Sequence, residues 1–262
     1  MAKVNNTSMT NREKYHFDDF TLANYKRLVQ MAVDNGFQFI LHKDKFVQER
    51  KDVIWRHDVE FEPDIALKMA EVEHKAGVQA SYFFQLHSPF YNIVEPHYCE
   101  VFHQIKDLGH CVGLHFDSAY WRITDERQLN DYIKIDKAYL EYNMDVEIDT
   151  FSFHNTTPFT QSCLEFQYGG LINSYASFFK EHYDYCGDSL GYWRFDRLED
   201  VLKNEEVRHL QVLTHDGNWS EEVLSPRKRF IKVMHDHADR LVEMQVDGLH
   251  SYGMLCPDDN ED

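Results

Sequence analysis

Val53-Ile54-Trp55-Arg56-His57-Asp58-Val59-Glu60 is the stretch on which the fold turns. Apolar residues run into Arg-His-Asp-x-Glu, and Pro63 with a helix-like pattern follows at once. Side chains alternate faces along a strand, so Arg56, Asp58 and Glu60 should point one way. A cation and two carboxylates at the end of a buried strand are costly unless they pair or hold a metal. The stretch therefore reads either as a strand-end ion pair or as part of a site.

Moving outward, Pro63 suits a helix start. Ile65, Met69, Val72 and Ala76 recur at helical spacing until Gly77. Strands are expected at 80–84, 111–117, 148–154 and 209–215. Helices are expected from Pro96 to Gly109, over 125–143, and from Pro226 to about residue 246. Before the opening stretch, Thr21 caps a helix that ends at Gly36, and 37–40 reads as a short strand. Between 157 and 200 the pattern weakens: 171–179 and 192–195 look extended and 198–202 looks helical. Alternating strands and helices indicate a mainly parallel sheet with crossover helices, which a barrel and a doubly wound sheet both satisfy. Residues 1–18 read as a loose arm, 19–256 as one domain, and 257–262 as an acidic tail.

Bulk properties narrow the function classes. The chain has 262 residues, 43% of them hydrophobic, which is enough for one large α/β domain. A formal net charge of -18 disfavours nucleic acid and anionic membrane as partners. No apolar run approaches the roughly 18 residues of a membrane span, and residues 1–6 lack a signal peptide's apolar core. Five cysteines without a CxxC pair suggest a reduced, cytoplasmic protein.

The polar residues gather at strand ends: Asp58 and Glu60, His115 and Asp117, His154 and Asn155, His215 and Asp216. In parallel α/β sheets ligands bind beyond the C-terminal strand ends. Four such ends favour a metal site over chance. Nitrogen and oxygen donors suit zinc or a similar divalent ion, whose natural use is hydrolysis of an amide or ester. For His115 and His154 the rival reading is a hydrogen-bonded core histidine. His215 suits acid, base or ligand. His57 falls on the face opposite Asp58 unless the strand bends or ends there. The other histidines on helices and loops, His42 among them, read as solvated.

With these residues in place, the sequence resembles the polysaccharide deacetylase superfamily (carbohydrate esterase family four), in its divergent polysaccharide deacetylase-like branch. The resemblance covers roughly residues 20–245. It rests on Arg56-His57-Asp58-Val59-Glu60, on Ala80-Ser81-Tyr82-Phe83-Phe84, on Gly109-His110-Cys111-Val112-Gly113-Leu114-His115 and on Leu213-Thr214-His215. It implies a distorted, incomplete (β/α) barrel and metal-dependent removal of acyl groups from sugars. In the family's usual Thr-Phe-Asp-Asp-Gly the first Asp is the base and the second binds metal. Asp58 matches the second and His57 stands at the first, although a shifted register would make Glu60 the ligand. His115 matches the first histidine of His-(Ser/Thr)-x-x-His, and Ala119 stands where the second should be.

The implied metal set is thus Asp58, His115 and His154, with Glu60 and Asp117 as alternatives. His57 would activate water and His215 would protonate the leaving amine. Arg56 would bind a substrate phosphate or carboxylate, or pair with Asp58 or Glu60. Asn155 and Trp219 complete the expected substrate contacts, Trp219 by stacking on a sugar face. The expected substrate is an acylated amino sugar or surface-polysaccharide precursor. The alternatives are a barrel that binds a glycan or protein without turnover, and a metal-dependent amidase on a non-sugar substrate.

Overall fold

The computed structural model describes residues 9–254. In chain order the elements are α1 (Asn11–Lys14), α2 (Leu22–Asp34), β1 (Gln38–Ile40), β2 (Asp52–Val59), α3 (Pro63–Lys75), β3 (Ser81–Gln85), α4 (Pro96–Asp107), β4 (Cys111–Phe116), α5 (Glu126–Met144) and β5 (Thr150–Phe153). Then follow α6 (Pro158–Ser162), β6 (Gln167–Tyr168), β7 (Leu171–Asn173), α7 (Ser177–His182), β8 (Asp184–Gly187), α8 (Leu198–Lys203), β9 (His209–His215) and α9 (Pro226–Ser251). The strands form one sheet in the order β6-β7-β5-β4-β3-β2-β9-β8, and β1 pairs with the first half of β2. Every pairing is parallel except β6 with β7.

Two hydrogen bonds show how strongly this sheet curls. Arg56 on β2 donates through Nη1 to the Ser174 hydroxyl just after β7, and Gln211 Nε2 on β9 reaches the Ser174 carbonyl at 3.3 Å. Four strand steps separate β2 from β7 in the sheet order. A flat sheet would hold them about 19 Å apart at ~4.8 Å per step. The two sheet edges, β6 and β8, do not pair with each other, so the barrel is open: a distorted, incomplete (β/α) barrel rather than a doubly wound sheet.

The period of two fixes what each face carries. On β2, Val53, Trp55 and Val59 enter the main core under the helices, while Ile54 joins a smaller inner cluster with Ile40, Ile172, Ala176, Phe179 and Tyr183. Leu114 and Phe116 on β4, Phe151 and Phe153 on β5, and Leu210 and Val212 on β9 likewise join the main core. Arg56, Asp58, His115, Ser152 and His215 occupy the alternate positions, which face the concave interior. Gly113 belongs to this crowded inner face. A Cβ there would lie 2.5 Å from the Thr150 carbonyl oxygen and 2.6 Å from a Phe83 ring carbon, so only glycine fits.

The weak region 157–200 departs from its expectation. Residues 171–173 are a strand, but 177–182 are helical, because Phe179 is drawn into the inner cluster. Residues 192–195 are irregular, and the strand before them is β8, whose partner β9 follows it by more than 20 residues. α9 runs to Ser251, beyond the expected end. His42 is buried rather than solvated. It lies beside Phe83 and Phe179, and burial pushes its pKa down to about 3. Residues 1–8 of the expected arm and the tail 257–262 lie outside the described residues. Within the remainder of the arm, Thr10 and Glu13 form a capping box on α1; just beyond it, Asp19 is held by Arg197 and Trp193.

Candidate active site

The C-terminal strand ends surround a cleft of about 990 Å³. At its mouth His115 Nε2 and His154 Nδ1 each lie 2.8 Å from Glu60 Oε1 and 3.2 Å from one another. Among the described residues these three are the group whose donor atoms converge closely enough to share one ion. A tetrahedral zinc site with bonds of ~2.1 Å separates its ligands by about 3.4 Å, so a small expansion would admit the ion. Two nitrogens and a carboxylate oxygen with further positions open match the donor set of a catalytic zinc site.

The surrounding hydrogen bonds orient this set. Ser152 donates its hydroxyl proton to Asp58 Oδ1 at 2.8 Å, so its oxygen accepts Nδ1–H of His115 at 2.6 Å. That commits Nδ1 of His115 to Ser152 and leaves Nε2 as the atom that faces Glu60 and would face a cation. Asp216 holds Glu60 from below: its buried carboxylate accepts the backbone N–H groups of Glu60 at 3.0 Å, Phe61 at 3.0 Å and Glu62. Burial opposes the charge on Glu60, yet hydrogen bonds from His115 and His154 hold its pKa well below the ordinary glutamate value. Burial likewise opposes protonation of His154, and Glu60 overrides it, so that pKa is raised.

The donor atoms that converge differ from the expected metal set in one member. Glu60 joins His115 and His154, and Asp58 lies one step deeper, its Oδ2 3.8 Å from Nδ1 of His115 rather than beside Nε2. The physical reason is reach: Glu60 sits past the end of β2 and its longer side chain extends over the rim. Asp117 is spent on the next turn, where it accepts the backbone N–H groups of Ala119 and Tyr120. Asp58 remains ionised, since burial raises its pKa but Arg56, His115 and His215 together bring it below the usual value.

Two expected site residues lie elsewhere. His57 points through the sheet to the helix side, as strict alternation requires, and is fully buried. There its Nε2 meets Glu73 at 2.8 Å and its Nδ1 meets Thr214 at 2.6 Å, so it is not placed to activate water in the cleft. Trp219 is also fully buried, against Phe20, Tyr25 and Trp193, and cannot stack on a ligand in the cleft. Arg56 and Asn155 do line the cleft. The Asn155 amide lies 2.7 Å from Nε2 of His154 and, with its oxygen turned inward, would orient that ring for cation binding.

His215 stands on the opposite wall. Its Nδ1–H donates to Asp188 Oδ1 at 2.6 Å, and Asp188 Oδ2 accepts both the His215 backbone N–H and Trp219 Nε1–H at 3.1 Å. Trp219 thus serves the site indirectly, by fixing Asp188. Burial disfavours the imidazolium, but the Asp188 carboxylate outweighs it, and the His215 pKa rises to about 10. Asp188 and Ser152 are the candidate site residues that sequence reasoning missed. Ser152 carried a usable signal, since it sits two residues before His154 on the same strand face.

No family model matches the chain, and no curated protein does. Solved structures do resemble it. A family 4 carbohydrate esterase from Bacillus anthracis is 14% identical, with 82% of this chain and 86% of that one covered at a TM-score of 0.44. A family 4 pseudoenzyme from the same organism is 11% identical, with 74% and 63% covered at a TM-score of 0.40. The chitin deacetylase of the fungal pathogen Colletotrichum lindemuthianum is 16% identical, with 76% and 86% covered at a TM-score of 0.38.

Proposed function

We propose that this protein is a metal-dependent hydrolase that removes an acyl group, of the acetyl type, from an amino sugar or a polysaccharide precursor. The observation that carries this reading is the convergence of Glu60, His115 and His154 at the mouth of the cleft. Zinc fits these donors, and an ion held there would supply an acidified water and polarise an acyl carbonyl.

The remaining residues supply the proton transfers. Asp58 is ionised, faces the same cleft and is steadied by Ser152, so it takes the role of base that sequence reasoning gave to His57. His215 keeps its proton at neutral pH because of Asp188, and its Nε2 is the atom left to donate to a departing amine nitrogen. Base and acid are thus separate groups with opposite pKa shifts, which lets both hold the required protonation state at one pH.

The test is elemental analysis after zinc reconstitution, followed by acetate release from a panel of N- and O-acetylated amino sugars. About one equivalent of zinc is expected, with acetate release that a chelator abolishes. Zinc-free protein after reconstitution, or no release from any member of the panel, overturns the reading.

The acid role makes a separate prediction. Asp188→Asn removes the carboxylate that raises the His215 pKa, so the alkaline limb of kcat/KM should move to lower pH by at least about one unit. His215→Ala should lower the rate by ~10²–10⁴-fold, the usual worth of a positioned general acid. A pH–rate profile of Asp188→Asn that superposes on wild type would remove His215 from the reaction.

A further inference from the structure

Arg56 is one of the largest fully buried side chains, and it faces the cleft. Its Nη1 donates to Ser174, and its guanidinium carbon lies 4.6 Å from the centre of the Tyr175 ring. The rest of the fork is left over. Nε and Nη2 are buried and have no hydrogen-bond acceptor among the described residues. The nearest carboxylate oxygen, Asp58 Oδ2, is 3.9 Å from Nη2, too far for a hydrogen bond. A buried guanidinium with unused donors is expensive, and natural structures rarely leave such groups unmet without a functional reason.

The charge lining the cleft points the same way. The whole chain carries -18, yet the cleft walls carry Arg56, Lys180 and Arg194. The acidic residues lining it are Asp58 and Glu60, which the proposed chemistry already uses. The guanidinium's planar fork presents paired N–H groups that match two oxygens of a carboxylate or phosphate, and stacking on Tyr175 fixes its plane. Lys180 and Arg194 are exposed, so they would draw an anion in and leave the final contacts to Arg56.

We infer that the inner end of the cleft is an anion subsite, in which Arg56 holds a carboxylate or phosphate group of the substrate beside the acyl group to be removed. This rests on the hydrolase reading for its substrate, but the subsite itself can be measured without turnover. Arg56 is thereby a specificity-determining residue, and the substrate class narrows to acidic or phosphorylated acylated sugars.

Two measurements test the subsite. The first is calorimetric titration of chelator-treated protein with glucuronate, glucose 1-phosphate and glucose, in wild type and in Arg56→Gln. Glucuronate or glucose 1-phosphate should bind at least tenfold more tightly than glucose, and whichever does so names the oxyanion. Arg56→Gln should erase that preference. Should Arg56→Gln fail to fold, the double variant Lys180→Ala, Arg194→Ala should weaken the anion, but not glucose, by about threefold or more, with the difference shrinking at high salt. Equal affinity for all three sugars in wild type overturns the subsite, whether or not the protein is a hydrolase. The second measurement compares kcat/KM on an N-acetylated sugar acid and its neutral counterpart. Arg56→Gln should lower the first at least tenfold more than the second. An equal loss on both would make Arg56 a positioning residue for Asp58 and overturn its role in specificity.

Discussion

Glu60→Ala should strip the protein of its metal, whereas Asp58→Asn should keep the metal and lose turnover. In wild type the donor atoms of Glu60, His115 and His154 meet within 4.8 Å, with Glu60 bridging both imidazoles. Removing one of three protein ligands should weaken metal affinity by about three orders of magnitude, equivalent to about 4 kcal/mol. Zinc content after dialysis should therefore fall from about one equivalent to a trace. His115→Ala should behave like Glu60→Ala. Asp58 lies one step deeper, so Asp58→Asn leaves the donors in place but removes the proton acceptor, and acetate release should drop by ~10²-fold or more. Elemental analysis and activity on the same preparations separate the two roles. Metal lost in Asp58→Asn and retained in Glu60→Ala would restore the ligand set expected from the sequence motif. Metal affinity should also fall as the pH is lowered, because a proton on His154, whose pKa Glu60 raises, competes with the ion.

Glu73→Ala should be the most destabilising single substitution on the helix side of the sheet. Glu73 lies on α3 with no exposure, and its carboxylate accepts from the Tyr25 hydroxyl, from the Tyr82 hydroxyl at 2.6 Å and from His57 Nε2 at 2.8 Å. Burial opposes its charge, but His57 holds the pKa below the ordinary glutamate value, so it is ionised at neutral pH. Alanine would leave two hydroxyls and an imidazole without their acceptor in a dry core, at ~1–3 kcal/mol for each unmet group, and would add a cavity. A loss of about 4 kcal/mol or more is expected, read as a fall in the urea midpoint at unchanged slope. Glu73→Gln keeps the volume and should cost about half as much. A midpoint shift under about 1 kcal/mol for Glu73→Ala would show that the network contributes little.

The same groups give the pH dependence of stability. Glu73 has a depressed folded pKa, so its contribution is present above the unfolded glutamate value and is lost as pH falls through the folded one. His42 and His110 are held neutral chiefly by burial, so stability should also fall as pH drops below about 6.5, where the unfolded histidines protonate. His215 and His154 act in the other direction: their pKa values are raised, so their contribution is full below about 6.5 and fades as pH rises, for His215 through about 10. Metal-free protein should therefore be most stable near neutral pH and weaken on both sides.

Much of this was legible in the chain itself. Apolar runs ending in polar residues marked β2, β4, β5 and β9, and alternation alone sent His57 away from Asp58, because successive side chains on a strand leave opposite faces. Glycine and proline marked most helix ends, since they act on the local backbone whatever packs around it. These are local effects, and the sequence determines them. What the tertiary structure decided is which strand ends meet. Glu60, and not Asp58, converges with His115 and His154 because the chain turns at the end of β2 on backbone hydrogen bonds to Asp216, more than 150 residues away. Asp188 reaches His215 because β8 crosses to the far edge of the sheet and pairs with β9. Arg56 borders an inner cleft because the sheet curls until β2 and the residues after β7 touch. Each depends on strand order and curvature, which are set by burial of the whole apolar surface and leave no mark in the spacing of any one segment.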